Sequence, residues 1–212
     1  MYDPDKFKAV RTTPSQARGK ERVRVILASA LELFQQYGLE EVTTNDIAAQ
    51  AKIPIGSLYR YYPNKDAIMV ALTELYVDDL AKIFDDIGKH QMLPHLSWDE
   101  VLLLMVDAWV TYSNMNGPFE FLYAEKANPR LHALSRPAWT KFIRSFFAVL
   151  KGRCPQATDR ECMICFQLCL SAVELGTNAN YLEITGPSPH HDAVSAVASY
   201  MLRSCNRHVH PK

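Results

Sequence analysis

The sequence predicts an all-α protein of about nine helices, and three observations support that prediction. Apolar residues recur every three or four positions through most of the chain, which is typical of amphipathic helices. Capping patterns precede several of these segments, and no alternating apolar and polar run predicts a strand. The chain of 212 residues is 48% hydrophobic and 22% charged, which is typical of a globular protein with one large or two small domains.

The first helix is predicted over residues 18–37 and ends at Gly38, because glycine readily adopts the left-handed conformation of a helix C-terminus. Residues 1–17 contain Pro4 and Pro14 without periodicity, which predicts a flexible basic arm. The helix is expected to bury one stripe of apolar side chains: Ile26, Ala30, Leu33, Phe34 and Tyr37.

Two short helices joined by a tight turn are predicted between Thr43 and Lys65. Thr43 and Asp46 have the spacing of a capping box, which starts the first of them. Pro54 has a fixed φ and no N–H, and both properties suit the start of the second. Leu58 and Tyr62 are four residues apart and are expected to face the preceding helix. That leaves five residues pointing outward: Ile55, Gly56, Ser57, Tyr59 and Tyr61.

This arrangement predicts a helix-turn-helix, in which the second helix enters the DNA major groove. Ile55, Gly56, Ser57 and Tyr59 are expected at base edges, where hydroxyl and apolar groups read sequence. Phosphate contacts are expected from residues at helix starts and flanks, because first-turn N–H groups favour anions there. These residues are Thr43, Thr44, Tyr61 and Lys65.

The same stretch resembles the TetR family of transcriptional regulators. The resemblance rests on three segments between about Arg22 and Leu72: TT-x-DIA at residues 43–48, GSLYRYY at 56–62 and NKDAI at 64–68. It implies phosphate contacts from Arg18 and Arg22 as well. Lys52 stands where the family usually has a turn glycine, and a positive φ there would cost about 1 kcal/mol. Pro54 replaces the usual polar cap.

Charge is distributed unevenly along the chain, although the formal net charge is zero. Residues 6–24 carry seven basic groups and one acid, whereas residues 66–128 carry eleven acids and three bases. A basic front end before an acidic middle suits a protein that contacts phosphate at one end only. The basic run over residues 6–11 is equally compatible with a solvated tail.

The remaining helices are predicted from caps and breaks. Asn64 caps a long fourth helix that ends near Gly88 and that, in the family, links the DNA-binding head to the body. A capping box of Thr158 with Glu161 opens a helix of roughly 25 residues. The other predicted helices cover 98–114, 119–127, a short segment from 128, 136–152 and 190–206. The resemblance therefore implies a DNA-binding domain at 18–66 and an effector-binding and dimerisation domain at 67–212.

Aromatic residues are concentrated on the helices that enclose an effector pocket in this family. Such pockets are mostly apolar with a few polar groups, although plain core packing explains any single aromatic residue as well. The resemblance implies a largely apolar or aromatic effector bound by Trp109, Tyr112, Phe119, Tyr123, Trp139, Phe142, Phe146, Phe166 and Asn178.

The last two predicted helices have more apolar residues than one buried face needs, which predicts a two-fold homodimer interface. Its expected residues are Ile164, Leu168, Leu175, Val197, Tyr200 and Met201.

Five cysteines, three of them on one helix face, indicate a reducing compartment better than a disulfide framework. Cys162, Cys165 and Cys169 are expected to be buried small hydrophobes, with a redox switch or soft-metal site as the alternative. His190 and His191 are interpreted as exposed tail residues. No metal or cofactor is expected.

No run of about 18 apolar residues predicts a membrane span, and no apolar N-terminal segment predicts a signal peptide. No phosphate-binding loop, nucleophile elbow or helical zinc-binding motif is present, so the chain is not expected to be an enzyme. The sequence predicts a cytoplasmic, homodimeric repressor that a small molecule releases from double-stranded DNA. The alternatives are an activator or global regulator of the same fold and an all-α enzyme with an incidental helix-turn-helix.

Overall fold

The computed structural model describes residues 17–116, 129–177 and 189–209, and these residues form helices without any strand. The predicted all-α class is confirmed. Eight α-helices and one short 3-10 helix at Leu93–His95 are present in this part of the chain. The α-helices are α1 Ala17–Tyr37, α2 Thr44–Gln50, α3 Ile55–Tyr61, α4 Lys65–Gly88, α5 Trp98–Asn116, α6 Pro129–Arg153, α7 Asp159–Thr177 and α8 Pro189–Val209.

The chain forms two compact units, and both α4 and α6 begin in the first unit and end in the second. Unit 1 contains α1, α2, α3, and the first parts of α4 and α6. Its core consists of apolar side chains that are at most 9% exposed, from Val23 and Ile26 on α1 to Leu75 on α4. Tyr62 and Leu58 lie in this core, as their spacing predicted.

Unit 2 contains the end of α4, α5, the end of α6, α7 and α8. Within it, α8 packs against both α7 and α5, and α5 packs against α7. Trp109 of α5 is completely buried near its centre. A capping box of Ser97 with Glu100 starts α5, and one of Thr158 with Glu161 starts α7.

Two predictions about elements are wrong. Tyr37 is 55% exposed, whereas the other four residues of the predicted α1 stripe are buried. Tyr37 is the last residue of α1. A single helix replaces the two predicted on either side of Arg136-Pro137, and Pro137 lies inside it. Pro137 is on the exposed side of α6, where a carbonyl that loses its helical N–H partner can bind water. The helix predicted over 119–127 lies outside the described residues.

The cysteines correct another prediction. Cys154, just after α6, and Cys205, near the end of α8, form a disulfide with Cα atoms 6.2 Å apart, where the sequence indicated reduced thiols. Spacing along the chain did not reveal this pair because 51 residues separate its members. Cys162, Cys165 and Cys169 are free and buried, as predicted. None of the described helices is long and apolar enough to span a membrane.

Candidate DNA-binding and effector-binding sites

The helix-turn-helix is built from α2, the turn after it and α3. Thr43 caps α2: its hydroxyl accepts from the Asp46 N–H at 3.3 Å, and the Asp46 carboxylate accepts from the Thr43 N–H at 2.8 Å. The Thr43 hydroxyl also donates to the Asp46 carboxylate at 2.6 Å. This hydrogen bond, together with the one from the Thr43 N–H, holds the pKa of Asp46 below its ordinary value. Lys52 in the turn has φ +52°, the left-handed conformation that its position requires. The turn therefore keeps the geometry in which the family usually places glycine.

The start of α3 is formed without a polar cap. Pro54 is the N-cap residue with φ −60° and ψ 140°, and no side chain caps the helix. Its carbonyl accepts instead from the N–H groups of Ser57, at 2.8 Å, and Leu58, at 3.3 Å. The rigid ring of proline thus sets the direction in which α3 leaves the turn.

The leading face of α3 has small and polar groups. A Cβ built at Gly56 would meet no atom within 4 Å, so the backbone is open to close approach there. Ser57 is half-buried and Tyr59 is 40% exposed. The Tyr59 hydroxyl lies 3.0 Å from that of Thr44, which links α3 to the start of α2. Ile55 only partly faces outward, because it also packs against the core of unit 1.

Tyr61 does not point outward as the sequence predicted. It is only 3% exposed, and its ring belongs to the core of unit 1. The Tyr61 hydroxyl accepts a 2.9 Å hydrogen bond from Arg60, whose guanidinium lies 5.1 Å from the centre of the Tyr61 ring. Arg60 is exposed, and the sequence prediction did not include it among the DNA-binding residues of α3. The signal that could have indicated it is its positive charge on the same helix.

Lys65, at the start of α4, forms hydrogen bonds with the loop after α1. Its ammonium donates to the carbonyls of Leu39, at 2.7 Å, and Glu40, at 3.4 Å. The side chain thereby ties the loop after α1 to the start of α4. Asn64 caps α4 by accepting from the Ala67 N–H at 2.9 Å, as predicted.

Cations line an open groove between α1 and the turn before α3. Its basic residues are Arg18, Arg22 and Lys52. Glu21 lies in the same groove, but Arg24 donates to it from Nε at 2.9 Å, and this hydrogen bond lowers the pKa of Glu21. The paired acid leaves a basic surface beside α3, which suits a phosphate backbone.

The aromatic residues predicted to bind an effector form a packed cluster in unit 2. Trp109 meets Phe142 edge-on with ring centres 4.9 Å apart, and Phe146 meets Phe166 at 5.2 Å. Phe84 of α4 joins this cluster 5.2 Å from Phe142 and was missed in the sequence. Tyr112 is half-buried and donates to Asp79 at 3.1 Å, and Trp139 is half-buried. Phe119, Tyr123 and Asn178 lie outside the described residues.

The predicted dimer residues divide into two groups. Ile164 and Leu168 on α7 are 36% and 42% exposed, and Leu175 and Tyr200 are half-buried. Val197 and Met201 are 3% and 0% exposed within the single chain, so their assignment to an interface is wrong. They face α7 and α5 in the core of unit 2, a difference that periodicity alone does not show.

Comparison with known proteins finds similarity to one family in the helix-turn-helix segment. A sequence profile described as bacterial regulatory proteins, tetR family, matches residues 26–72, which cover α2 and α3, the second half of α1 and the start of α4. This segment of the chain is therefore similar to the DNA-binding segment of TetR-family regulators. The HTH-type transcriptional regulator YuxN of Bacillus subtilis is 36% identical over 59 residues, which are 28% of this chain and 20% of YuxN. The chain thus spans only a fifth of YuxN in this match.

Solved structures of similar proteins share the fold over most of this chain. A TetR-family regulator from Streptomyces coelicolor has a TM-score of 0.63 at 18% identity, covering 88% of this chain and 98% of its own. The multidrug binding protein EbrR, solved with imidazole, has a TM-score of 0.62 at 18% identity and covers 90% and 95%. The matched segment and the fold are those of TetR-family transcriptional regulators, and the prediction that the chain is not an enzyme agrees with them.

Proposed function

We propose that this chain is a cytoplasmic, homodimeric repressor of the TetR family that a small, largely apolar or aromatic effector releases from a near-palindromic DNA operator. The observation that carries the proposal is the leading face of α3, where an open Gly56 backbone lies beside Ser57 and an exposed Tyr59. A helix of this kind reads base edges in the major groove. In this proposal residues 18–66 bind DNA, after a flexible arm at 1–17, and residues 67–212 bind the effector and dimerise.

The DNA contacts divide by kind. Ile55, Gly56, Ser57 and Tyr59 read bases, because they stand on the leading face of α3. Phosphates are bound by Arg18 and Arg22 in the basic groove and by the Arg60 cation. Thr43 and Thr44 add contacts at the start of α2. Lys65 supports binding by holding the loop after α1.

An exposed apolar face on α7 supports the homodimer. Met163, Ile164 and Leu168 are 36–42% exposed there, and Leu202 on α8 is 51% exposed. Two copies related by a two-fold axis would cover these side chains in a four-helix arrangement of α7 and α8. Two heads arranged in this way read half-sites about 34–36 Å apart, or a multiple of that distance.

The aromatic cluster of unit 2 supports an apolar effector. Its rings are buried on one another, so an effector that enters must separate them, and α4 supplies Phe84 to the cluster. Because α4 begins in unit 1, such repacking gives the effector a means of acting on the DNA-binding head. A ligand shifts DNA affinity only if it prefers one of the two conformations. The imidazole complex of EbrR shows that a protein of this fold binds a small aromatic ring.

The proposal is tested by selecting bound duplexes from a random DNA pool with the purified protein. The expected product is a near-palindromic site bound by a dimer. Ser57→Ala should reduce the preference for that site over random DNA, since a lost base contact changes specificity by about 1–3 kcal/mol. Arg22→Ala should weaken binding to the selected site and to random DNA equally, and it should reduce the slope of log affinity against log salt by about one per head.

The matched control is Arg203→Ala, which removes an exposed cation from α8, far along the chain from the head. Selection of no sequence at all would contradict the proposal. So would a salt slope that Ser57→Ala lowers and Arg22→Ala leaves unchanged.

To test the effector site, Tyr112→Phe is a better variant than Trp109→Ala, because removing a fully buried tryptophan costs about 3–5 kcal/mol of stability.

A further inference from the structure

Two adjacent histidines at the start of α8 meet Asp107 of α5 at the surface of unit 2. Nε2 of His190 lies 2.8 Å from Oδ1 of Asp107, and Nε2 of His191 lies 3.1 Å from the same oxygen. One ligating atom from each of the three residues lies within 4.8 Å of the other two. The prediction that these histidines are exposed tail residues is therefore wrong for His190, which is 5% exposed.

We propose that Asp107, His190 and His191 bind a divalent transition-metal ion, with Zn²⁺ as the reference ion. Imidazole nitrogen and carboxylate oxygen are donors that Zn²⁺ and its neighbours take from proteins. Two ligands bonded at about 2.1 Å stand roughly 3.0–3.4 Å apart, in octahedral or tetrahedral geometry. The two observed histidine–aspartate separations match this spacing to within a few tenths of an ångström.

The fold makes room for the His190 ring at this place. A Cβ built at Gly176 of α7 would lie 2.6 Å from Nδ1 of His190 and 2.9 Å from a methyl carbon of Val110. Any residue other than glycine would displace the ring. Glycine inside a helix is less favourable than alanine, yet α7 has it where the imidazole packs. The position of His190 is thus fixed by packing on one side and by Asp107 on the other.

The site is open on its remaining side. The Asp107 and His191 side chains are 46% and 47% exposed, so an ion can reach them from solvent. Three protein ligands leave at least one coordination position for water or a small ligand. A carboxylate and two imidazoles are a donor set that divalent cations such as Zn²⁺ take from proteins. A bound ion would join the first turn of α8 to the middle of α5.

Direct metal titration tests this proposal without any need for DNA, so it succeeds or fails separately from the proposed function. The protein is prepared without a tag, with His208→Ala and His210→Ala to remove the histidines of the C-terminal segment, and is stripped with a chelator. Zn²⁺ is titrated calorimetrically and Co²⁺ by absorption. The expected result is one ion per chain, a Co²⁺ spectrum without thiolate charge-transfer bands, and a thermal midpoint that rises with Zn²⁺.

Variants of the exposed ligands decide the assignment, because they are the least expected to disturb folding. Asp107→Ala and His191→Ala should each lower Zn²⁺ affinity by at least about tenfold and remove the thermal shift. The matched control His95→Ala removes an exposed histidine of the 3-10 helix and should bind like the parent. Gly176→Ala should also lower the affinity for Zn²⁺, because the added methyl group would displace the His190 ring.

Three results would overturn the proposal. They are the absence of an ion at stoichiometric Zn²⁺, equal affinity in the parent and in both ligand variants, and a Co²⁺ spectrum with thiolate ligands. In the first case the three residues form histidine–aspartate hydrogen bonds only.

Discussion

At the scale of single residues, the turn of the helix-turn-helix contains a conformational cost that the sequence already indicated. Lys52 has φ +52°, where a side chain with a Cβ is disfavoured. The family usually has glycine in this turn. A lysine here lowers folding stability, but it adds a cation to the basic groove beside Arg18 and Arg22. Folding stability and DNA affinity are therefore expected to respond in opposite directions to a change at this position.

Lys52→Gly is predicted to raise the free energy of unfolding by about 1 kcal/mol, because glycine adopts positive φ without steric cost. The same change should weaken DNA binding modestly through loss of the cation. Lys52→Ala is the matched control, since it removes the charge and keeps the strain. Chemical denaturation of the three proteins measures the effect. Equal stability of the glycine and alanine variants would show that the turn is unstrained.

The buried residues explain which site predictions failed. Tyr61 and Met201 occur at positions where helical spacing allows either face, and tertiary packing places both inside. His190 was assigned to the tail because no partner lies near it in sequence, yet Asp107 is 83 residues away. Long-range partners of this kind are invisible to local patterns, whereas the capping residues were found because both members of each box lie three positions apart.

At the scale of elements, capping boxes determine where three of the helices start. Thr43, Ser97 and Thr158 each accept from the N–H three residues ahead, at 3.2–3.3 Å. Helices in a marginally stable unit depend on such ends, since each box satisfies two donors that the helix itself leaves unpaired. The sequence predicted the starts of α2, α5 and α7 well for this reason. The prediction that a helix starts at Arg136-Pro137 was wrong, because Pro137 is exposed and is therefore tolerated within a helix.

Thr43→Ala and Ser97→Ala are each predicted to lower the free energy of unfolding by about 1 kcal/mol. The boxes also make stability depend on pH. Hydrogen bonds from Thr43 lower the pKa of Asp46, and those from Ser97 lower the pKa of Glu100. Because the folded pKa values are depressed, this stability is present above the ordinary values of 3.8 and 4.5 and is lost as pH falls through the folded values.

Denaturation of Thr43→Ala, Ser97→Ala and the parent between about pH 3 and about pH 7 measures both effects, because this range begins below the ordinary carboxyl pKa values and ends well above them. As pH falls, the free energy of unfolding should decrease less in each variant than in the parent. Ser171→Ala on the exposed middle of α7 is the control for loss of a hydroxyl. A difference between parent and variants that stays constant with pH would contradict the role of the carboxylates.

The disulfide between Cys154 and Cys205 fastens the end of α8 to the loop after α6. Closing a loop of this length stabilises a protein by about 4 kcal/mol in the chain-entropy description. A reductant is therefore predicted to lower the thermal midpoint of the parent. The double variant Cys154→Ser/Cys205→Ser should melt near the reduced parent and show no response to reductant. A parent that does not respond to reductant would show that the two thiols are unpaired in solution.

The three remaining cysteines give the control for that experiment. Burial raises the pKa of Cys162, and the hydrogen bond with Cys169 together with burial raises that of Cys165 well above the ordinary value. The thiols of Cys162 and Cys165 therefore stay protonated near neutral pH. All three cysteines are buried and should resist alkylation in the folded protein. Mass changes after alkylation in reductant should thus be confined to Cys154 and Cys205 until the protein unfolds.

At the scale of the whole molecule, the exposed apolar residues of α7 are the feature that a single chain leaves unexplained. Ile164 and Leu168 repeat at helical spacing on the outside of unit 2. A protein that remains a monomer rarely exposes a contiguous apolar surface of this kind. Both residues belong to the predicted dimer interface, and they are exposed because α7 has more apolar positions than its buried face uses.

Leu168→Glu is predicted to convert the proposed dimer to a monomer, because a buried charge without a partner opposes association. Sedimentation at micromolar concentration measures the change, and operator affinity should fall with it. Leu104→Glu, at an exposed leucine of α5, is the matched control and should remain dimeric. A monomeric parent, or a dimer unaffected by Leu168→Glu, would contradict the interface.

The burial of Trp109 gives this protein an optical probe of its own interior. The chain has three tryptophans, and Trp109 is the fully buried one, with Phe84, Phe142 and Phe166 around its indole. Indole fluorescence shifts to shorter wavelength in an apolar, rigid environment. Trp98 lies under the Arg153 guanidinium instead, with 5.5 Å from that group to the ring centre. Trp98 is 7% exposed and Trp109 is completely buried, so Trp109 is expected to contribute most to the short-wavelength part of the emission. A molecule that separates the aromatic cluster should therefore shift the emission wavelength without an added label.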